Sequence, residues 1–248
     1  IVDGSVDAGD TATLTATTGE INGTSVQSDA AALLSAALDI AGVSVDAASA
    51  TLSAGEDVVD GSVSVVGAAD IDAAADIAGL AVDSDTATLD ATNIVGVEVN
   101  TDTTAALTAL NDVQGGNTNA GTTLDVVAGN DIDGLTAMGG DAVTATADQS
   151  VTNASFTSTG STATVTATNV DVSNTDVVAN LLATVTAGED VIGSSVTSET
   201  DDVEVTAQSG TISATDASAD AGTVDLLAGI DIVDGSVDAG DTATLTAT

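Results

Sequence analysis

The stretch IVDGSVDAGDTATLTAT occurs twice, word for word, at Ile1–Thr17 and at Ile232–Thr248. The offset is 231 residues, so the chain closes by beginning again. A self-contained domain has no reason to restate its opening, whereas a segment of a longer repeat array does. Working outward from the two copies, a shorter period emerges. Coils start at Ile1, Ile21, Ile40, Val58, Ile77, Ile94, Val113, Ile132, Val151, Val170, Val191, Ile212 and Ile232, which makes twelve coils in 231 residues at spacings of 17 to 21. Each start is β-branched, and most follow an acidic residue or Asn, as in GED before Val58, GND before Ile132 and GED before Val191.

About five residues after the start comes a second apolar position, at Val6, Val26, Val45, Val63, Val82, Val99, Val196 and Val237. A third lies in stretches that alternate strictly, such as TATLTAT (11–17), TATLDAT (86–92), ATVTATN (163–169) and VEVTAQ (203–208). Alternation at period two marks a strand with one buried face. The segments are short, rich in Val, Ile and Thr, and punctuated by Gly, Asp, Asn and Ser, so each coil reads as two or three strands joined by tight turns. So few strands per coil cannot enclose a core alone. Stacked on like coils they can, each strand pairing above and below at roughly 4.8 Å. The predicted fold is all-β: a parallel β-solenoid of about 19 residues per coil and about 13 coils, continuous over residues 1–248. The Ala-rich runs 30–42 and 68–80 have some helical character, but their coil starts stay in register, and strand is the expectation there too.

Composition supports this reading. The chain has no Lys, Arg, His, Pro, Cys, Trp or Tyr, and a single Phe. Its hydrophobic content of 43% is too high for a disordered acidic tail. Dominance of Ala, Gly, Ser and Thr suits a narrow interior that takes Val, Leu and Ala but not rings. Absence of Pro is consistent with strand pairing throughout. Phe156 and Met138 both fall near the second apolar position of their coils, and core filling is the expectation for each.

The formal net charge is −39 with nothing to offset it. About thirteen coils at roughly 4.8 Å give a rod of about 60 Å, or one negative charge per ~1.6 Å of axis. That density is comparable to the ~1.7 Å of duplex DNA. Such a surface holds a cation atmosphere and repels nucleic acid and anionic lipid. No apolar run approaches a membrane span, so direct membrane insertion is not expected. No signal peptide is visible either; the chain reads as internal to a longer precursor, with any targeting segment outside it.

Side-chain catalysis is disfavoured by inventory. Without His, Cys, Lys or Tyr the usual bases and activated nucleophiles are missing. A carboxylate pair of the glycosidase type remains conceivable, but no Trp or Tyr is present to stack on a sugar. The chain is therefore not expected to be an enzyme, and no cofactor is implied. Acidic clusters offer hard oxygen ligands suited to Ca²⁺: Glu56, Asp57 and Asp60; Asp131 and Asp133; Glu189 and Asp190; and Glu199, Asp201 and Asp202. None matches an EF-hand loop, and Gly139-Gly140-Asp141 is only a fragment of a calcium-binding nonapeptide. Ca²⁺ or other divalent cations are expected as counterions, with the clusters as weak candidates for defined sites. Thr pairs recur at Thr11/Thr13, Thr15/Thr17, Thr86/Thr88, Thr144/Thr146, Thr162/Thr164 and Thr166/Thr168. A regular array of that kind can bind ice, but the pattern lapses over 30–38 and 68–76, and outward Thr suits a β face in any case.

The coil junctions carry a recurring phrase: AGEDVVDGSV (54–63), AGEDVIGSSV (187–196), AGIDIVDGSV (228–237) and the looser AGNDIDGLTA (128–137). With the flanking TATLTAT and VEVTAQ strands, it resembles the tandem repeats of filamentous haemagglutinin-type bacterial adhesins. The resemblance implies a right-handed parallel β-helix exported as an extracellular or cell-surface fibre. A left-handed hexapeptide helix, with coils of near-constant length, fits the variation from 17 to 21 residues less well. The expected function is that of a structural shaft, a spacer, sheath or matrix filament, whose partner is itself, end to end or in lateral bundles. The alternative is an adhesin or Ca²⁺-dependent binding module that uses the acidic turns.

Overall fold

A computed structural model describes all 248 residues, Ile1–Thr248. No residue is helical, and the chain winds as an all-β parallel solenoid of about 13 turns with about 19 residues in each. A typical turn has three arms. In one of them the first arm is Val191–Ile192, the second Ser195–Ser198 and the third Val203–Ala207. Each arm pairs in parallel with the same arm of the next turn: Val191 with Ile212, Val196 with Ala217, Val205 with Leu226. Because parity alternates along a strand, this register sends the same positions inward in every turn.

Two compact units, Ile1–Gly121 and Thr122–Thr248, make up the chain. In the first unit the third arm is filled by one large residue between two alanines. Leu14, Leu34, Leu52, Ile71, Leu89 and Leu107 form the central column. Ala12, Ala32 and Ala50 stack on one side of it, and Ala16, Ala36 and Ala54 on the other. Arms run together here as single strands: Ile40–Ala47 and Val58–Val65 each join two, and Asp76–Ala91 runs through all three, with the left-handed residue Gly42, Asp60 or Gly79 inside each. The Ala-rich runs are strands, at Ala31–Ala36 and Ala68–Ala73. Their alternation decides this over Ala helix propensity, since each buries a single face.

In the second unit the first-arm column runs through Ile132, Val151, Val172, Val191, Ile212 and Ile232. The coil start expected at Val170 is therefore Val172. Its neighbourhood, NVDVSN, offers two valines two residues apart, and a backbone constraint decides between them. The third residue of the first arm has positive φ in every turn, from Asp3 (50°) and Gly23 (59°) through Asn174 (50°) and Gly193 (59°) to Asp234 (53°). Starting at Val172 puts Asn174 at that left-handed corner. Starting at Val170 would put the β-branched Val172 there, where its Cβ is not tolerated.

Phe156 lies in the second-arm column between Ala137 and Val177 and is fully buried, so its bulk is offset by a small neighbour. Met138 is a correction. It follows Ala137 by one residue, so parity turns it outward, and it is 43% exposed. Behind the corner, inward hydroxyls satisfy themselves locally: Thr24, Thr175, Ser194 and Thr215 each donate to the carbonyl two residues earlier. Only the buried hydroxyls of Ser84, Thr101 and Thr118 have no partner.

Ala214 (φ 48°) is the one corner residue that is not Gly, Asn or Asp. Ala214→Gly should therefore stabilise the protein, because relief of roughly 1–2 kcal/mol of left-handed strain exceeds the added chain entropy of Gly. Phe156→Ala should destabilise it by about 3–5 kcal/mol. Denaturant melts of the two variants against the parent check both signs.

Candidate functional site

In six of the turns the residue preceding the first arm donates its backbone N–H to an acidic or Asn side chain of the preceding turn. In the first unit Asp39 Oδ1 accepts the Asp57 N–H (3.1 Å), and Asp57 Oδ1 accepts the Asp76 N–H (2.9 Å). Asp76 Oδ1 accepts Asn93 Nδ2 (2.7 Å), and Asn93 Oδ1 accepts the Asp112 N–H (3.4 Å). In the second unit Asp131 Oδ1 accepts both the N–H (2.9 Å) and the hydroxyl (2.5 Å) of Ser150. Asp171 does the same for the Asp190 N–H (2.9 Å), and Asp190 for the Thr211 N–H (2.6 Å). This ladder is what the acidic residue or Asn before most coil starts signals in the sequence.

The sequence-derived cation candidates divide accordingly. Asp57, Asp131 and Asp190 are ladder members, half-buried, each with one oxygen engaged by a donor of the next turn. Asp60 occupies the left-handed corner (φ 49°). Glu56 and Glu189 are exposed, and their backbone N–H groups donate to Leu38 and Val170. Asp133 accepts from the Thr152 hydroxyl (2.7 Å) and Asn153 Nδ2 (2.8 Å). Those two hydrogen bonds, Thr152 first, hold its carboxyl below the ordinary value against a small opposing effect of burial. Asp202 is held low in the same way, first by the Thr223 N–H and then by the Thr223 hydroxyl. Nowhere do three carboxylates converge in a geometry that could hold a metal ion.

The outward Thr residues assemble differently from the pairs read in sequence. Thr11, Thr162 and Thr168 lie just outside their strands, so the stacked pairs are Thr144/Thr146, Thr164/Thr166 and Thr184/Thr186, extended by Thr206. Thr184/Thr186 was legible as the ATVTA of 183–187, a copy of 163–167. The array is bounded by Glu204 on one side and by Asp125 and Val127 on the other.

Two concavities have no counterpart in the sequence reading. In the first unit a polar hollow of about 450 Å³ is lined by Ser62, Ser64, Asp83, Glu98, Asn100 and Asn119, with Asn119 Nδ2 donating to Asn100 Oδ1 at 3.2 Å. In the second unit the last turn is open, and a cavity of about 140 Å³ there is lined by Ile232, Val237 and Leu245.

The fold and these repeating columns define a parallel β-helix repeat protein. No family model, curated protein or solved structure matches the chain.

The lowered values of Asp133 and Asp202 carry a pH signature. A folded-state pKa below the unfolded one stabilises above the unfolded value, near 3.8, and that stabilisation is lost as pH falls through the folded value. Asp133→Asn and Asp202→Asn should each melt below the parent at neutral pH, with the gap closing on acidification below the carboxylate range. A gap of constant size would refute the linkage. Asp131→Ala, which strands the Ser150 N–H, should lower stability by about 1–2 kcal/mol in a denaturant melt.

Proposed function

We propose that this chain is a shaft segment of an extracellular or bacterial cell-surface fibre of the filamentous haemagglutinin type, serving as spacer, sheath or matrix filament without chemistry of its own. The observation that carries the reading is the unbroken turn-on-turn pairing within each unit, in a sequence that starts over at Ile232. Such a shaft gains cohesion from nearest-neighbour turns, so its length is free to grow. Its partner is another copy of the same turns, whether supplied by the same chain or by a neighbouring subunit. The uniformly acidic surface keeps shafts apart and disfavours nucleic acid and membrane as partners. Absence of Lys and Arg also leaves no trypsin sites, which suits exposure outside a cell.

A second reading, an adhesive or Ca²⁺-dependent binding module, draws on the polar hollow of the first unit, where Asp83 and Glu98 are the carboxylates. Chelation separates the two. A shaft keeps its structure and dispersion when divalent cations are removed, and a cation-dependent module loses one or the other.

Electron microscopy of the native material, with its averaged power spectrum, tests the main proposal. A thin continuous fibre with a meridional reflection near ~4.8 Å is expected, together with an axial repeat of about twelve such steps, roughly 58 Å. Discrete particles lacking the reflection would end the proposal.

A further inference from the structure

Two outward columns of the second arm run side by side through the first unit. One carries Ser62, Ala81, Glu98 and Asn117, the other Ser64, Asp83, Asn100 and Asn119. Side-chain size changes abruptly along them: Ser62, Ser64 and Ala81 are short, and the residues stacked beyond are longer. That step leaves the polar hollow of about 450 Å³, within the range of about 300–1,000 Å³ common to small-molecule sites. The Asn119–Asn100 hydrogen bond (3.2 Å) braces its longer side. A smaller hollow of about 250 Å³ adjoins it, sharing Ser64 and Asp83 and adding Asp46, Ser84 and Asp102.

The same strands depart from the regular rung in two further ways. The ladder shifts register between Ser84 and Thr86, an irregularity of the kind that re-aims side chains beside functional sites. The only partnerless buried hydroxyls, those of Ser84, Thr101 and Thr118, also lie on these strands. Ser84 follows Asp83, lines the smaller hollow and is 4% exposed, and its oxygen is an acceptor without a donor. Departures that coincide in this way mark turns kept for something other than stacking.

The lining decides what fits. An anion would find no Lys, Arg or His anywhere in the chain, and a sugar would find no ring to stack on, since the single Phe is buried elsewhere. The carboxylates do not converge on a metal ion. They are spread instead: Asp46 and Asp83 stand two rungs apart in one column, about 10 Å, and Glu98 lies on the diagonal from Asp83, about 8 Å. Hydroxyl and amide groups fill the intervals.

We propose that this hollow binds a linear polyamine, laid along the solenoid axis. Such a molecule carries ammonium groups at intervals of a few methylenes, so a single ligand meets Asp46, Asp83 and Glu98 in succession. Its methylenes lie over Ala81, and its remaining N–H groups donate to Ser62, Ser64 and the Asn100 amide. The hollow is the one on which the second functional reading draws, with an organic cation in place of a metal ion. Nothing in the site depends on how shafts assemble.

Calorimetric titration of the full chain with spermidine tests this. It is done in about 0.15 M NaCl, where charges more than about 8 Å apart are largely screened and a diffuse cation atmosphere is suppressed. One saturable site per chain is expected. Asp83→Asn with Glu98→Gln should weaken it by about tenfold or more, because two exposed ion pairs are lost together. Asp70→Asn with Asp72→Asn removes the same charge from the third arm, where Asp72 stands directly opposite Asp90. Carboxylates there are closer than in the hollow, so a cation drawn by charge density alone would prefer them. This second pair of substitutions should change the affinity by less than about threefold. Ala81→Gln fills the floor without changing charge and should also abolish saturable binding. Every substitution lies on the outward side of its strand, so the core columns are untouched.

Equal weakening by the two double variants, with Ala81→Gln binding like the parent, would mean a cation atmosphere only and overturn the site. Displacement of spermidine by equimolar Ca²⁺ would return the hollow to the cation-dependent reading and overturn the polyamine. Absence of a saturable site in the parent would overturn it as well. None of these results bears on the shaft, which the micrographs decide separately.

Discussion

Everything in this structure depends on the parallel hydrogen-bonded register between one turn and the next. Parity is strict in a strand, so holding each residue above its counterpart obliges every turn to send the same positions inward. The Leu14-to-Leu107 column and its flanking alanines express that requirement in the first unit, and the column from Ile132 to Ile232 does so in the second. A turn of three short arms could not bury a core of its own; its inner face is completed by its neighbours. Stability is thus local and repetitive, and cost or gain at one turn is felt mainly by the turns it touches.

Register alone does not bend the chain back on itself. That task falls to the left-handed corner, the third residue of every first arm, with Gly, Asn or Asp at all positions but Ala214. Beside it the carboxylate ladder serves N–H groups that the corner removes from the sheet. The acidic residues are therefore not only a solvated coat: Asp39, Asp57, Asp76, Asp131, Asp171 and Asp190 each meet a structural demand of the following turn. No carboxylate is among the buried residues, so all 39 keep access to solvent. Mutual repulsion is tolerated because each ladder oxygen is compensated by a donor and each turn by its core.

Much of the fold was legible because period-two alternation and a recurring coil start are properties of single residues read in order. What depends on two turns at once was harder to see. Val170 and Val172 are equally good β-branched starts, and only the conformation required at Asn174 separates them. Met138 stands one residue from an inward position, and an apolar residue announces its burial poorly where Ala137 already fills the column. The acid-before-Val pattern was plain in sequence, but its meaning lay in a donor 17 to 21 residues away. The hollow over Asp83, Glu98 and Asn100 left no linear trace, since its wall is drawn from several turns.

Core and surface are also separable in a way that bears on function. On the third arm of the second unit the inward positions hold Val, Ala and Leu in every turn. The outward positions pass from Asp125 to Thr144, Thr164 and Thr184, and then to Glu204 and Asp225, without disturbing the pairing. Hydroxyl, carboxylate and methyl are exchanged on one face while the other face is kept. In a globular enzyme a site is a constellation that the core must hold in place, so changing one constrains the other. Here any surface property is written as a column, and its reach is set by how many turns repeat it. A function carried by length, spacing and charge density needs only that repetition. A point ligand site would need several turns to depart from it together, as the turns lining the polar hollow do on a small scale.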